Sequence, residues 1–180
     1  MDVAEDDGAY FERGDRAGFF RRLLILLIDG TVVAVAANAW AAGYALLFPE
    51  SDQDSVVGAA FLVIGFAYLV VLESYSVTLG FLLARVRIVT LKGKRPSILR
   101  MTLRLLLWVM GPIHPVIDFL WLGGDDQGQT LRDKWVGTLV VRRKAEPAAQ
   151  GPIRLKWYTL LGQWYVFFEV ERPSAAPPAS

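Results

Sequence analysis

Hydrophobic residues along this chain fall into long unbroken blocks, and that blocking predicts its main elements. Leu23 to Phe48 is apolar almost throughout and stops at Pro49-Glu50, with Trp40, Tyr44 and Phe48 where an aromatic belt would lie; it reads as a first membrane-spanning helix. Ala34, Ala36, Ala37, Ala39, Ala41, Ala42 and Gly43 make this helix slim and predict a packing face. Val56 to about Leu83 reads as a second span. Ile98 to Leu122 is apolar enough to be a third, but Arg100 and Arg104 sit in its first two turns and Gly111-Pro112-Ile113-His114-Pro115 breaks it. The expectation is a broken helix pair, Ser97 to Met110 and about Val116 to Leu122, re-entrant or interfacial; a full crossing is the alternative.

Elsewhere the period changes to two. Arg85 to Leu91 alternates and stops at Lys92-Gly93-Lys94, and Gly137 to Arg143 has the same basic and branched character, so two short strands are expected to pair at the membrane surface. Between Ile153 and Arg172, Gln163, Tyr165, Phe167, Glu169 and Glu171 alternate with Trp164, Val166, Phe168 and Val170. A hairpin turning near Leu161-Gly162 is favoured there over an interfacial helix, because the uncharged core is too short to span.

Of 180 residues 54% are hydrophobic, and Lys+Arg 19 nearly balances Asp+Glu 18. The near-neutral balance argues against nucleic-acid binding, and the absence of cysteine removes disulfides, thiolate catalysis and thiolate metal sites. Charge placement says more. The connection PESDQDS carries Glu50, Asp52 and Asp54 and no base, which puts it outside; Arg13, Arg16, Arg21 and Arg22 keep the N-terminus in the cytoplasm. Arg85, Arg87, Lys92, Lys94, Arg95, Arg100 and Arg104 follow the second span without an acid, so that loop is cytoplasmic too. Residues 1–16 mix acids with glycine and read as a solvated cytoplasmic tail. Ala37-Asn38-Ala39 resembles a cleavage site, but the acidic start argues against a signal peptide.

The stretch Ala17 to Gly30, AGFFRRLLILLIDG, places Asp29 within an apolar helix, and Glu73 lies inside the second block. A carboxylate at the centre of a spanning helix costs on the order of 2.5–3.5 kcal/mol, so each needs a partner or a task. At helical rise both sit roughly 10–15 Å from the cytoplasmic ends, where they would face each other. Two readings stay open: a proton- or cation-binding pair, or acceptors that lock helix packing by bonding neighbouring helices or Arg100 and Arg104. Arg22 and Asp29 share a helix face too far apart for an easy ion pair, so Asp133 is expected to pair with Arg21 or Arg22.

Three stretches resemble the RDD domain, a family of bacterial membrane proteins named for an arginine and two aspartates. They are Ala17-Gly18-Phe19-Phe20-Arg21-Arg22 with Ile28-Asp29, Thr78-Leu79-Gly80 leading into Arg87-Ile88-Val89, and Thr130-Leu131-Arg132-Asp133 with Gly137-Thr138 and Val140-Val141. The resemblance covers about residues 17 to 143 and would place the name-giving residues on Arg22, Asp29 and Asp133. The chain departs at Phe81, where members often have lysine, at Arg85, often glycine, and at Arg132, often histidine. The resemblance implies a bacterial membrane module, mostly without an assigned function, with some members linked to cation/proton exchange; the expected location is the bacterial inner membrane.

Other candidates read blandly. His114 is the sole histidine and sits in a proline break, so no metal site is expected; Asp118, Asp125 and Asp126 beside Gly123-Gly124 read as a solvated turn. Lys92, Lys94, Arg95, Arg100 and Arg104 form a basic cluster expected to face anionic lipid headgroups. Trp157, Trp164, Tyr165, Phe167 and Phe168 are candidate partner-docking aromatics. No nucleophile and base arrangement is evident, so neither enzyme activity nor a cofactor is expected.

The expected architecture is mainly α and integral to the membrane: two transmembrane helices, a broken re-entrant or interfacial pair, and short strands at the cytoplasmic surface. Its divisions are a tail at 1–16, a membrane domain at 17–144, a linker at 145–152, the aromatic segment at 153–172 and a Pro/Ala tail at 173–180. Both termini are expected in the cytoplasm. The expected role is a non-enzymatic structural or accessory subunit that packs against other membrane subunits or its own copies. The alternative is an oligomeric cation/proton exchanger built on Asp29 and Glu73.

Overall fold

In the computed structural model, which describes residues 7–49, 53–109, 114–125, 127–160 and 162–173, a two-stranded ribbon lies at the centre. β2 (Val86–Thr90) and β3 (Thr138–Arg142) pair antiparallel, Val86 opposite Arg142 and Thr90 opposite Thr138. The ribbon is covered on both faces, which is why its strands are nearly continuous in apolar residues. Val86, Ile88 and Val140 pack with Ala17 just before the first long helix and with Val70, Phe81, Ala84 and Met101 from the helices, while Val89, Leu139 and Val141 pack with Ala9, Phe11, Leu91, Ala145 and Val170.

The helical layer holds the two long apolar elements. α1 (Phe19–Leu47) stops at Phe48, directly before Pro49. α2 (Gln53–Phe66) continues through a wide π-helical stretch, Ala67–Leu72. Phe19–Leu47 and Ser55–Leu72 are both long and apolar enough to cross a membrane, and little of either is buried within the chain. The second run is shorter than its expected end at Leu83. The chain turns at Tyr75–Ser76, with Ser76 at φ 56°, and starts a separate short helix, α3 (Leu79–Ala84). Glu73 therefore sits at the end of the apolar helix, not inside it.

α4 (Ile98–Val109) and α5 (His114–Gly124) form the expected broken pair. Since β2 precedes them and β3 follows, and the two strands pair, this segment leaves the ribbon and returns to it. α6 (Leu131–Val136) leads back into β3. Glu50 and Asp52 of the acidic connection, the residues Gly111-Pro112-Ile113, Asp126, Leu161 of the turn and residues 174–180 lie outside the described residues.

The third layer corrects two expectations. The supposed solvated tail contains β1 (Asp7–Tyr10), paired antiparallel with β4 (Ala149–Leu160), so Gly8 lies opposite Gly151. Phe11 is fully buried, the Ala9 N–H reaches the Leu91 carbonyl at 2.7 Å, and Arg16 donates to the Phe11 carbonyl from Nε at 3.0 Å. The linker expected at 145–152 is likewise part strand, since β4 begins at Ala149. β4 and β5 (Gln163–Val170) make the expected hairpin, giving a sheet in the order β1-β4-β5.

Candidate functional site

Asp133 is the hub of a buried charge network that joins α1, α4, α6 and the end of the second apolar helix. α6 is capped by a reciprocal box in which Thr130 accepts from the Asp133 N–H at 3.3 Å and the Asp133 carboxylate accepts from the Thr130 N–H at 3.5 Å. That fixes the carboxylate, with no exposed surface, where two arginines converge. Arg22 from α1 donates Nη1 to Oδ2 at 2.5 Å, and Arg104 from α4 donates Nε to Oδ1 at 2.8 Å. The Thr138 hydroxyl adds a bond to Oδ1 at 3.2 Å. Burial alone would push this carboxyl up; Arg104, Arg22 and Arg132 outweigh it and hold it well below the usual carboxylate range. Of the two expected partners, Arg22 is the one taken; Arg21 instead donates to the Ala84 carbonyl at 3.3 Å.

Arg22 has no spare direction. Its Nε reaches the Ala17 carbonyl at 3.0 Å and Nη2 the Gly128 carbonyl at 3.1 Å. Arg104 extends the network by bonding Glu73 through Nη1. This corrects the basic cluster: Arg104 is 3% exposed and faces inward, leaving Lys92, Lys94 and Arg95 exposed and Arg100 half-buried with a bond to the Gly137 carbonyl at 3.3 Å. The sequence carried a signal for it. Met101, Arg104, Leu105 and Trp108 stand at i, i+3, i+4 and i+7, which puts the arginine on the apolar, inward stripe of α4.

Asp29 has different partners. Its carboxylate, 3% exposed, accepts from the Tyr68 hydroxyl at 3.0 Å, from Thr78 Oγ1 at 2.8 Å and from the Gly80 N–H at 2.7 Å. A Cβ on Gly80 would lie 2.8 Å from the carboxylate, so the Thr78-Leu79-Gly80 motif is the lock for this acid: a hydroxyl, a spacer and a residue without a side chain. Asp29 and Glu73 do not meet as expected; each is taken up by its own donors, and both line a cavity of about 240 Å³ between α1, α2 and α4. Arg22, Arg104 and Arg132 also reach its wall, which is otherwise apolar.

A second buried cluster was missed. Lys134 lies between Asp125, at 2.7 Å, and Glu169, with the Tyr158 hydroxyl at 3.1 Å from its Nζ. Asp125 also accepts the Gln129 N–H at 2.8 Å. Asp118 pairs with Arg132 at 2.8 Å, so Asp118 and Asp125 are buried ion-pair partners and not part of a solvated turn. The Lys134 cluster clamps the hairpin onto α6. Of the five candidate aromatics, Trp157, Trp164 and Phe168 are exposed on the outer face, Tyr165 is half-buried, and Phe167 is buried among Trp121, Trp135 and Tyr158. Leu155 and Val166 complete the apolar outer face, opposite Phe168 and Trp157 in the register.

A family model described as the RDD family matches residues 16–137, which spans both long helices, the broken pair and α6 and stops before the hairpin. No curated protein and no solved structure matches the chain.

Proposed function

The chain belongs to the RDD family, and from that premise we propose that it is a non-enzymatic integral membrane module acting as a structural or accessory subunit of a membrane assembly. The observation that carries this reading is where the polar groups go. The three name-giving charges, Arg22, Asp29 and Asp133, are all spent on bonds within the chain, while large apolar residues are turned outward: Phe20 at 83%, Leu46 at 84% and Leu62 at 72% exposure. Such a surface is stable against lipid or partner helices and not against water. The outer face of the hairpin, Leu155, Trp157, Trp164, Val166 and Phe168, offers a further apolar docking surface.

In this reading α1 and α2 cross the bacterial inner membrane once each. The pairing of β1 with β4 and of β2 with β3 supports a single side for the layers before α1 and after α2, and the basic residues around them support the cytoplasm as that side. The α4–α5 pair then dips in and returns without crossing.

One observation favours the exchanger reading: the cavity that holds Asp29 and Glu73 in an apolar frame. The two separate in reconstituted vesicles. The subunit reading expects no sodium-dependent proton flux and stable co-migration with a partner or second copy in mild detergent. Flux that Asp29→Asn abolishes in a protein that keeps its fold overturns it.

A further inference from the structure

Away from the charge network, a second pocket opens where the π-helical stretch ends, between the Ser74–Ser76 turn, β2 and the loop after it. Its volume is about 290 Å³, and Arg87, Arg95 and Arg143 all reach its wall together with Ser74, Tyr75 and Ser76. No acid lines it. Among the described residues these three arginines make no ion pair with a carboxylate, unlike Arg22, Arg104 and Arg132. Their bonds go to neutral acceptors. Arg87 donates Nη2 to the Ala145 carbonyl at 2.7 Å, Arg143 Nη1 to the Ser76 carbonyl at 3.2 Å, and Arg95 Nε and Nη2 to the Ser74 carbonyl and hydroxyl at 3.2 and 3.3 Å, with its guanidinium over the Tyr75 ring.

Those bonds hold three guanidinium groups in place and leave donors over. Among the described residues Arg87 Nε is buried without a hydrogen-bond partner, an arrangement that is costly unless something else accepts from it. Convergent arginines with spare donors, fixed by their other bonds and unopposed by any acid, are built for a multidentate oxyanion. Tyr75, Val77 and Leu79 beside the pocket are about half-exposed and apolar, so the anion would sit where a greasy surface begins.

We propose that the Arg87–Arg95–Arg143 pocket is a phosphate-binding site, the phosphate being carried by a lipid headgroup or by a small soluble anion. The site does not depend on whether the module is a subunit or an exchanger. The test uses the full chain in nanodiscs of pure phosphatidylcholine and in nanodiscs that also contain phosphatidic acid, with the variants Arg87→Gln, Arg95→Gln and, outside the pocket, Lys94→Gln. Arg95 is exposed at the rim, so its variant remains informative if Arg87→Gln fails to fold.

Phosphatidic acid retained by the wild type on release from the disc, as seen by native mass spectrometry, and weakened about tenfold or more in the arginine variants but not in Lys94→Gln, supports the site and assigns it to lipid. A saturable rise of the unfolding midpoint with inorganic phosphate in pure phosphatidylcholine discs, absent with chloride at equal ionic strength and lost in the same variants, supports it and assigns it to a soluble anion. Equal behaviour of Lys94→Gln and the arginine variants in both arms, or no response in either, overturns the proposal.

Discussion

Arg22 and Asp133, 111 residues apart in the chain, meet at 2.5 Å with both side chains buried. The pair ties the first long helix to the last short one, and Arg104 shares the same carboxylate. Removing one member of a buried pair strands the other's charge, which costs about 3–5 kcal/mol. Asp133→Asn leaves Arg22 unbalanced and Arg104 with Glu73 alone, and is expected to lower the unfolding midpoint in detergent by many degrees, against little change for Arg21→Gln. A midpoint for Asp133→Asn within a degree of wild type would show that the network does not hold the helices together.

Gly80 and Gly43 make a contrasting pair. A Cβ on Gly80 would overlap the Asp29 carboxylate at 2.8 Å, whereas one on Gly43 meets nothing within 4 Å. Gly80→Ala must displace the carboxylate from three donors and is expected to destabilise by about 1–3 kcal/mol. Gly43→Ala, near the C-terminal end of α1 but still within it, should be neutral or stabilising by up to about 1 kcal/mol. Thermal scans of the two variants side by side decide it, and equal effects would refute the lock.

Acid should loosen the soluble side of the module. Burial pushes Glu169 up, but Lys134 and Tyr158 bonded to it outweigh that and bring it below its ordinary value of 4.5; Asp133 is held below 3.8 by its arginines. A carboxyl lowered in the folded state adds stability above its unfolded value, and that stability is lost as pH falls from there toward the folded value. Asp118, pushed up by burial, works in the opposite direction. The expected outcome is a midpoint that drops as pH falls below about 4.5 and a shallower drop in Glu169→Gln, measured by the same scans across pH.

Arg85 ends α3 in the left-handed region at φ 54° with its side chain exposed. A left-handed non-glycine residue costs roughly 1–2 kcal/mol, partly offset on replacement by the greater freedom of glycine in the unfolded chain. Arg85→Gly should therefore raise stability slightly. A clear loss would show that the arginine side chain contributes more than its position indicates.

Gln150 is exposed on β4, opposite Ala9 of β1. With α1 and α2 as the two crossings, a cysteine placed there should resist an impermeant thiol reagent added to intact cells and react after lysis. Ready labelling from outside would put the β1–β4 sheet on the outer side and overturn the proposed orientation.

The parts of this fold that could be read ahead of the structure are those with a strong local pattern. The two basic alternating stretches do pair as β2 and β3, separate helices α4 and α5 lie before and after the undescribed residues 110–113, and the C-terminal aromatics do form a hairpin. What escaped was set by distant partners. Asp7–Tyr10 is four residues with a glycine and becomes a strand only because β4 offers an edge. Arg104 was counted with the loop's positive charge, although its spacing from Met101 and Trp108 aimed it inward. Lys134, Asp125 and Glu169 are spread over the chain and carry no shared motif, so their meeting could be found only in three dimensions.

The π-helical stretch at Ala67–Leu72 sets the rotational phase of everything after it. Tyr68 at its start turns its hydroxyl to Asp29, and Glu73 just past its end turns to Arg104; one widened turn thus serves two acids' worth of wiring on different neighbours. Winding the same residues as an ordinary α-helix would advance everything after them around the axis and carry Glu73 away from its arginine. The helix would remain as greasy and nearly as long, yet would be wound out of step with the ribbon below it. Length and hydropathy would register almost no difference between a working and a broken module.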